Sequence, residues 1–193
     1  MRRLLLPLAL LLALVASGCG QDEPAPDAAA PAPASRIVSL SPTASVMLFA
    51  IGAGGQVVAV DSNSNYPEEV PKTDLSAYQP NIEAIAGYKP DLVVYSDDPG
   101  EIAAGLGKLS IPALQQPAAT RLDDTYAQLD QLGRATGHQA EAAQLTATMR
   151  AEIEKIAAAA RPERPLTYYH ELDKNLYSAT SKSWSTASAT TWT

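Results

Sequence analysis

The stretch NIEAIAGYKPDLVVYS, residues 81–96, decides the predicted fold. Asn81 is a residue type that caps helices, Glu83 falls in the first turn of the helix, and Gly87 ends it. A proline and an aspartate then turn the chain into the apolar run 92–95, which is typical of a buried parallel strand. The pattern therefore predicts a short helix followed by a strand.

The last residue of this predicted strand is Tyr95. Ligands of open α/β sheets bind at the carboxyl ends of the strands. The position of Tyr95 makes it the first candidate for a ligand contact.

The same alternation precedes this stretch. Residues 37–40 and 57–60 are predicted strands, and between them Thr43 is placed to cap a helix that ends near Ile51. Strands that alternate with helices favour a parallel sheet covered by helices on both faces. We therefore predict a doubly wound α/β lobe with a mostly parallel sheet.

The alternation continues after residue 96. We predict a helix over 98–109, a strand over 111–114 and a helix over 121–135. The run 138–160 lacks internal Gly and Pro and predicts a rod of about 35 Å. Such a helix is long enough to reach a second lobe, for which residues 166–172 look like the opening strand.

Composition excludes some functions. The chain has 193 residues, with 14 Lys plus Arg against 21 Asp plus Glu, and its net charge of −7 argues against a nucleic-acid partner. Apolar residues make up 46%, which is enough for a core. Cys19 is the one cysteine, so no disulfide can form within the chain.

The N-terminal segment 1–19 has the pattern of an export signal. Arg2 and Arg3 precede the apolar run 4–15, which is short for a membrane-spanning helix. Small residues then lead to Cys19, and this resembles a bacterial lipoprotein box in which the cysteine is lipidated. We expect an exported protein anchored to the cell envelope by lipid, with an ordinary signal peptide as the alternative.

Four further segments follow Cys19. The Pro- and Ala-rich residues 20–35 predict a disordered tether. We expect the N-terminal lobe over 36–137, a linking helix over 138–160, and over 161–193 only the start of a second lobe, too short for a typical domain. The uncharged final residues suggest truncation, or a reading-frame change from about Ser183; a one-lobe protein with a polar tail is the alternative.

Several of these motifs together resemble a known family. They are RIVSLSPTASVMLFAIG, DSNSNYPEEV, AYQPNIEAIAGYKPDLVVYS and YYHELDKNLYSATS, within residues 36–182. The resemblance is to solute-binding proteins of bacterial ABC importers for cobalamin and ferric siderophores. It implies two α/β lobes joined by one long helix, with the ligand in the cleft between them.

The resemblance also implies roles for particular residues. Glu83 matches a carboxylate that docks on arginines of the permease, and Cys19 is the lipidation site. The implied ligand contacts come from the first βα turn, the loop after the second strand and two aromatic positions of the cleft: Pro42, Thr43, Asn63, Tyr66, Tyr78 and Tyr95. Flat tyrosine rings suit a macrocycle or a chelate.

These roles have alternatives. Glu83 could only complement the helix dipole, and Tyr66 and Tyr78 could be ordinary surface residues. Val46 stands where the family often has an acidic residue, which weakens any role of that turn in binding a cation. His170 lies next to a glutamate, but neighbours on a strand point to opposite faces, so we predict no metal site.

We therefore predict a binding protein without catalytic activity or cofactor. It would capture cobalamin or a ferric siderophore and deliver it to an ABC permease and its ATPase, and we expect a monomer. The alternatives are a hydrolase-like α/β enzyme and a surface lipoprotein without a transport role. Against the enzyme, no GxSxG motif is present, and both histidines, His138 and His170, lie outside the predicted cleft. The sequence leaves the choice between cobalamin, siderophore and haem open.

Overall fold

The strands form one sheet in the computed structural model, which describes residues 32–160 of the chain. Their order across the sheet is β2, β1, β3, β4, and every neighbouring pair is parallel. The strands are β1 (Ile37–Leu40), β2 (Val57–Val60), β3 (Leu92–Tyr95) and β4 (Ala113–Gln115). The predicted parallel α/β architecture is confirmed, and only β4 begins two residues later than predicted.

Helices follow the strands in the predicted order. A short 3-10 helix, Ala53–Gln56, precedes β2. The α-helices are α1 (Pro42–Ala50), α2 (Ile82–Gly87), α3 (Ile102–Lys108), α4 (Leu122–Thr136) and α5 (Gln139–Ala159). The predicted strand 166–172, the tether and Cys19 lie outside the described residues.

The two faces of the sheet carry separate apolar clusters. Ile37 and Leu92 point to one face, where residues of α1, α4 and α5 cover them. Val38 and Val93 point to the other face, where residues of α2 and α3 cover them. Successive side chains of a strand alternate between faces, so each short strand supplies both clusters. This arrangement explains why β1 and β3 are buried along their whole length.

The cap of α2 is confirmed, whereas the predicted cap of α1 is wrong. Asn81 Oδ1 accepts a hydrogen bond from the Ala84 N–H at 3.0 Å. In α1 the capping residue is Ser41, not Thr43, since Ser41 Oγ accepts from the Ala44 N–H at 3.3 Å. Pro42 is then the first helical residue. Proline fits this position because a backbone N–H there would have no partner within the helix, so its absence costs nothing.

Helix α3 starts later than predicted. The side chain of Asp98 accepts a hydrogen bond from the Ile102 N–H, so Asp98 precedes the helix. Glu101, at φ +52°, adopts a left-handed conformation that a helix cannot include. The polar segment after β3 therefore extends to Glu101.

Two charged residues fix the amino ends of β1 and β3. The Asp91 carboxylate accepts hydrogen bonds from Ser35 Oγ at 2.7 Å and from the Arg36 N–H at 2.8 Å. Burial raises the pKa of Asp91, but the hydrogen bonds from Ser35 and Arg36 outweigh this effect and hold the pKa below its usual value. Arg36 also donates to the backbone oxygens of Tyr88 and Lys89, just after α2.

The long helix α5 packs on α4 along its first half. Ala142 is buried there, and Leu145 and Met149 contact the core. The backbones approach so closely at Gly133 that a Cβ on this residue would lie 2.7 Å from the Ala142 Cβ. Towards its end α5 is exposed, with Ile156 61% accessible. Its 21 residues span about 32 Å.

A second contact supports the same helix pair. The guanidinium carbon of Arg150 on α5 lies 4.0 Å above the ring centre of Tyr126 on α4. The same guanidinium is 3.1 Å from an Asp123 carboxylate oxygen. Arg150 therefore adds a cation–π contact and an exposed ion pair to the apolar packing.

We predict that Gly133→Ala destabilises the chain by about 1–3 kcal/mol, because the added methyl group overpacks the α4–α5 contact. Gly107→Ala is the matched control, since a Cβ there has no neighbour within 4 Å. The control should be neutral or stabilising by up to about 1 kcal/mol, because alanine favours a helix over glycine. Urea unfolding followed by circular dichroism measures both changes, and equal midpoints for the two variants would contradict the close approach.

Candidate functional site

The carboxyl ends of three adjacent strands are followed by polar residues. Ser41 follows β1, Asp61 follows β2 and Ser96 follows β3. Because all strands are parallel, their loops gather at one edge of the sheet. We call this the carboxyl edge, and the predicted contacts Pro42, Thr43, Asn63 and Tyr66 lie on the segments that follow β1 and β2 there.

Buried hydroxyl groups connect these strand ends. Ser96 Oγ donates to Ser41 Oγ at 2.8 Å. Ser45 Oγ, one turn into α1, lies 2.9 Å from Ser39 Oγ and 3.1 Å from Ser64 Oγ. Ser64 Oγ in turn donates to the Asp61 carboxylate. All of these residues except Ser96 are buried, so the network links β1, β2 and α1 beneath the surface of the edge.

Residues 61–75 form a loop whose ends are held together, and we call it the edge loop. The Ser62 N–H donates to the Leu75 carbonyl oxygen at 2.8 Å, and Asp61 forms a bridge with Leu75. Val70 is buried in the core below. The edge loop is thus a compact segment with a buried base, of the kind that often has a functional role.

The two predicted ligand contacts of the edge loop face solvent. Asn63 is exposed, although its N–H donates to Asp61 Oδ2 at 3.3 Å. Tyr66 is 67% exposed. A large aromatic ring left this open on a loop with a fixed base is free to contact a ligand.

Tyr78 is the second exposed tyrosine. It lies between the edge loop and α2, with 76% of its surface accessible. The same segment contacts the loop after β3, since a Cβ on Gly100 would lie 3.0 Å from the Pro80 side chain. Tyr78 therefore stands on a segment packed against another part of the carboxyl edge.

Tyr95 differs from the other two tyrosines. Its predicted position at the end of β3 is confirmed, but its side chain is only 5% exposed and belongs to the core cluster under α2 and α3. Burial and, second, the nearby Asp98 carboxylate raise the pKa of the Tyr95 hydroxyl above its usual value. Its role as a ligand contact stays a prediction, and the ring supports the edge from below.

The start of α1 presents three exposed residues. Pro42 and Thr43 are both exposed in the first turn of the helix, and Val46 is 38% exposed one turn later. The Ser45–Ser64 hydrogen bond joins this helix to the edge loop. Pro42, Thr43, Asn63 and Tyr66 therefore lie on two segments that are directly connected.

Glu83, the predicted docking residue, lies on α2. It is exposed in the first turn of α2, as predicted. That helix is held by buried Ile85 and by Ile82, which lies against Gly105 of α3. The carboxylate therefore projects from a fixed helix, and its docking role stays a prediction.

Sequence reasoning missed the hydroxyl network. One signal was available, since Ser39 interrupts an otherwise apolar strand and Ser45 lies four residues after Ser41. A serine inside a buried strand must find a hydrogen-bond partner, because an unpaired buried hydroxyl costs about 1–3 kcal/mol.

The described part of the chain contains neither a candidate metal site nor a membrane span. Within residues 32–160 no group of three or more His, Cys, Asp or Glu side chains is placed to hold a metal ion. No helix in that range combines the length and the apolar character needed to cross a membrane. His170 and its neighbouring glutamate lie outside the range.

Comparison with known proteins identifies similar chains. The family model described as periplasmic binding protein matches residues 37–188. The cobalamin-binding protein of Halobacterium salinarum is 34% identical over 143 residues, covering 70% of this chain and 39% of that protein. An uncharacterized ABC transporter substrate-binding lipoprotein of Bacillus subtilis is 30% identical over 131 residues, covering 65% of this chain and 42% of that protein.

A solved structure has the same fold. The periplasmic vitamin B12 binding protein BtuF of Vibrio cholerae superposes with a TM-score of 0.61 and 25% sequence identity. The match covers 74% of this chain and 57% of that one. The chain spans about two fifths of the length of the two curated relatives.

Proposed function

Because this chain belongs to the periplasmic binding protein family, we propose that it is the solute-binding component of an ABC importer for a metal chelate. It captures cobalamin or a ferric siderophore outside the cytoplasm and delivers it to a membrane permease and its ATPase. It performs no catalysis and needs no cofactor of its own.

The observation that carries this proposal is the pair of exposed tyrosines at the carboxyl edge. Tyr66 and Tyr78 leave most of their surface open, on segments that the core holds in place. Aromatic side chains offer a large contact area at little entropic cost, which suits a flat macrocycle or a chelate. The cobalamin-binding relative and the vitamin B12 binding structure support the same class of ligand.

The α/β lobe forms one wall of the proposed site. A ligand held by one wall keeps much of its surface in water, so its affinity is lower than in a closed cleft. Residues 161–193 follow the long helix α5, and we propose that this helix links the lobe to the wall on the other side.

The enzyme alternative finds no support in the described residues. The serines of the carboxyl edge bond to one another and to Asp61, without a histidine in the network. His138 is the histidine within residues 32–160, and its ring lies near Gly52, at the end of α1. Helix α1 runs back from the carboxyl edge, so His138 lies towards the opposite edge and cannot activate these hydroxyls.

We also propose that the protein is lipid-anchored at Cys19 and docks on the permease through Glu83. A carboxylate at the start of a fixed helix is suited to meet arginines of a partner. The alternative role of Glu83, complementing the helix dipole, is compatible with docking, because an exposed carboxylate in the first turn of α2 can serve both purposes.

The first test is a ligand titration of the 193-residue chain. Cyanocobalamin, haemin and a ferric hydroxamate are added while the intrinsic fluorescence is recorded, and at least one should quench it saturably. Tyr66→Ala and Tyr78→Ala should each weaken binding by roughly tenfold, about 1.4 kcal/mol, because each removes an aromatic contact. Equilibrium dialysis gives the same affinity without an optical signal.

Leu109→Ala is the matched control for the titration. Leu109 is also a large exposed apolar residue, but it follows the last turn of α3, away from the carboxyl edge. Its substitution should leave the affinity unchanged. If none of the three ligands bound to the wild-type chain, or if Leu109→Ala weakened binding as much as the tyrosine variants, the proposal would be wrong.

The docking role of Glu83 needs a separate test. The wild-type chain and Glu83→Lys are immobilised and exposed to detergent-solubilised membranes from the producing cells, and captured ABC permease subunits are quantified by mass spectrometry. Charge reversal should lower capture several-fold, because it replaces an attraction with a repulsion. Ligand affinity should not change, since Glu83 is not among the proposed ligand contacts.

The control for docking is Glu154→Lys, which makes the same charge change on the exposed part of α5. It should capture as much permease as the wild-type chain. Equal capture by the wild type and Glu83→Lys would rule out Glu83 as a docking point.

A further inference from the structure

We infer that Asp61, Ser64 and Ser45 form a clamp that fixes the edge loop against α1 and so positions Asn63 and Tyr66 for ligand. The inference rests on the proposed function, because Asn63 and Tyr66 are proposed ligand contacts. None of the three clamp residues has a role in the family resemblance described above.

The donors and acceptors of the hydrogen bonds in the clamp can be assigned. The Asp61 carboxylate only accepts hydrogen bonds, so Ser64 Oγ–H donates to it. Ser64 has then used its single proton, and its 3.1 Å contact with Ser45 requires Ser45 Oγ–H as the donor. The Ser39 hydroxyl, 2.9 Å from Ser45 Oγ, and the Ser41 carbonyl oxygen, at 3.0 Å, are further acceptors for the same Ser45 hydroxyl. The Ser45 hydroxyl therefore lies between β1 and the edge loop and contacts both.

Burial separates the clamp from the ligand surface. Ser45, Ser64 and Asp61 are each almost fully buried, whereas their neighbours Asn63 and Tyr66 are exposed. The clamp residues cannot touch a ligand at the carboxyl edge. Any effect they have on binding must act through the exposed residues, so they are positioning residues.

Besides the burial of Val70 in the core, the edge loop has other hydrogen bonds, which do not reach α1. Thr73 Oγ1 donates to the Val60 carbonyl oxygen, and the Ser62 N–H donates to that of Leu75, so both close the loop on its own base beside β2. The Ser45–Ser64 hydrogen bond instead joins the tip side of the loop to α1. Loss of this bond should free the loop near Asn63 and Tyr66 while the sheet stays intact.

The test uses a protease site within the loop. Lys72 is exposed and is followed by Thr73, so trypsin can cut there when the loop opens. Lys108, exposed at the end of α3, reports opening elsewhere in the lobe. Ser45→Ala should raise the cleavage rate at Lys72 roughly tenfold relative to the rate at Lys108, because a hydrogen bond between buried groups is lost.

Two further variants sharpen the test. Ser64→Ala removes the other partner of the same bond and also the donor to the Asp61 carboxylate, so it should raise the ratio at least as much, and the double variant should exceed Ser64→Ala by little. Ser62→Ala is the control, because this exposed serine holds the loop through its backbone N–H. Its cleavage ratio should match the wild type.

Equal acceleration of cleavage at Lys72 and Lys108 in Ser45→Ala and Ser64→Ala would overturn the inference, since it would mean general destabilisation of the lobe.

The ligand titration gives a second measurement. With cyanocobalamin, the dissociation constant of each variant should rise by the factor by which the fraction of molecules with a positioned loop falls. An unchanged constant in a variant that trypsin cuts at Lys72 nearly as fast as the unfolded chain would also overturn it. If the wild-type chain bound no ligand, only the proposed function would be contradicted, because the cleavage ratio is measured without ligand.

Discussion

Parallel pairing of β1 with both β2 and β3 is the constraint on which this lobe depends. Ile37–Leu40 is buried along its whole length and lies between its two partners. Parallel strands of this kind need helical crossovers, which cover both faces of the sheet. The same pairing brings three strand ends to one edge, so the fold that buries the core also assembles the candidate site. The amino edge is held by different contacts, in which Asp91 and Arg36 tie β1 to β3.

The sequence predicted β1, β2 and β3 well because each one is a short, mostly apolar run between turn residues. It predicted the cap of α2 because Asn81 is the one good capping residue at that position, whereas SPT before α1 offers two. Ser41 is the cap of α1, because Pro42 directly after it fits the first helical turn. The predicted start of α3 was too early. Asp98 accepts a hydrogen bond from the Ile102 N–H, so Asp98 belongs to the loop that precedes the helix.

The candidate site was only partly predictable. Alternation along β3 puts Tyr95 on the same face as Val93, under α2 and α3, and this explains its burial. The exposure of Tyr66 and Tyr78 depends on how the edge loop folds back to Leu75, a contact between distant residues that local patterns do not encode. The serine network was missed for a similar reason, since a serine hydroxyl has many possible partners and only the tertiary structure selects Ser64 for Ser45.

The central claim is that the carboxyl edge of this lobe binds the ligand. Hydrogen–deuterium exchange of the 193-residue chain, with and without saturating cyanocobalamin or whichever chelate binds, tests it most directly. The account predicts slower exchange in the first turn of α1, in residues 61–66 and around Tyr78, with unchanged exchange at the amino edge around Asp91. Protection confined to the amino edge or to the exposed end of α5 would contradict it.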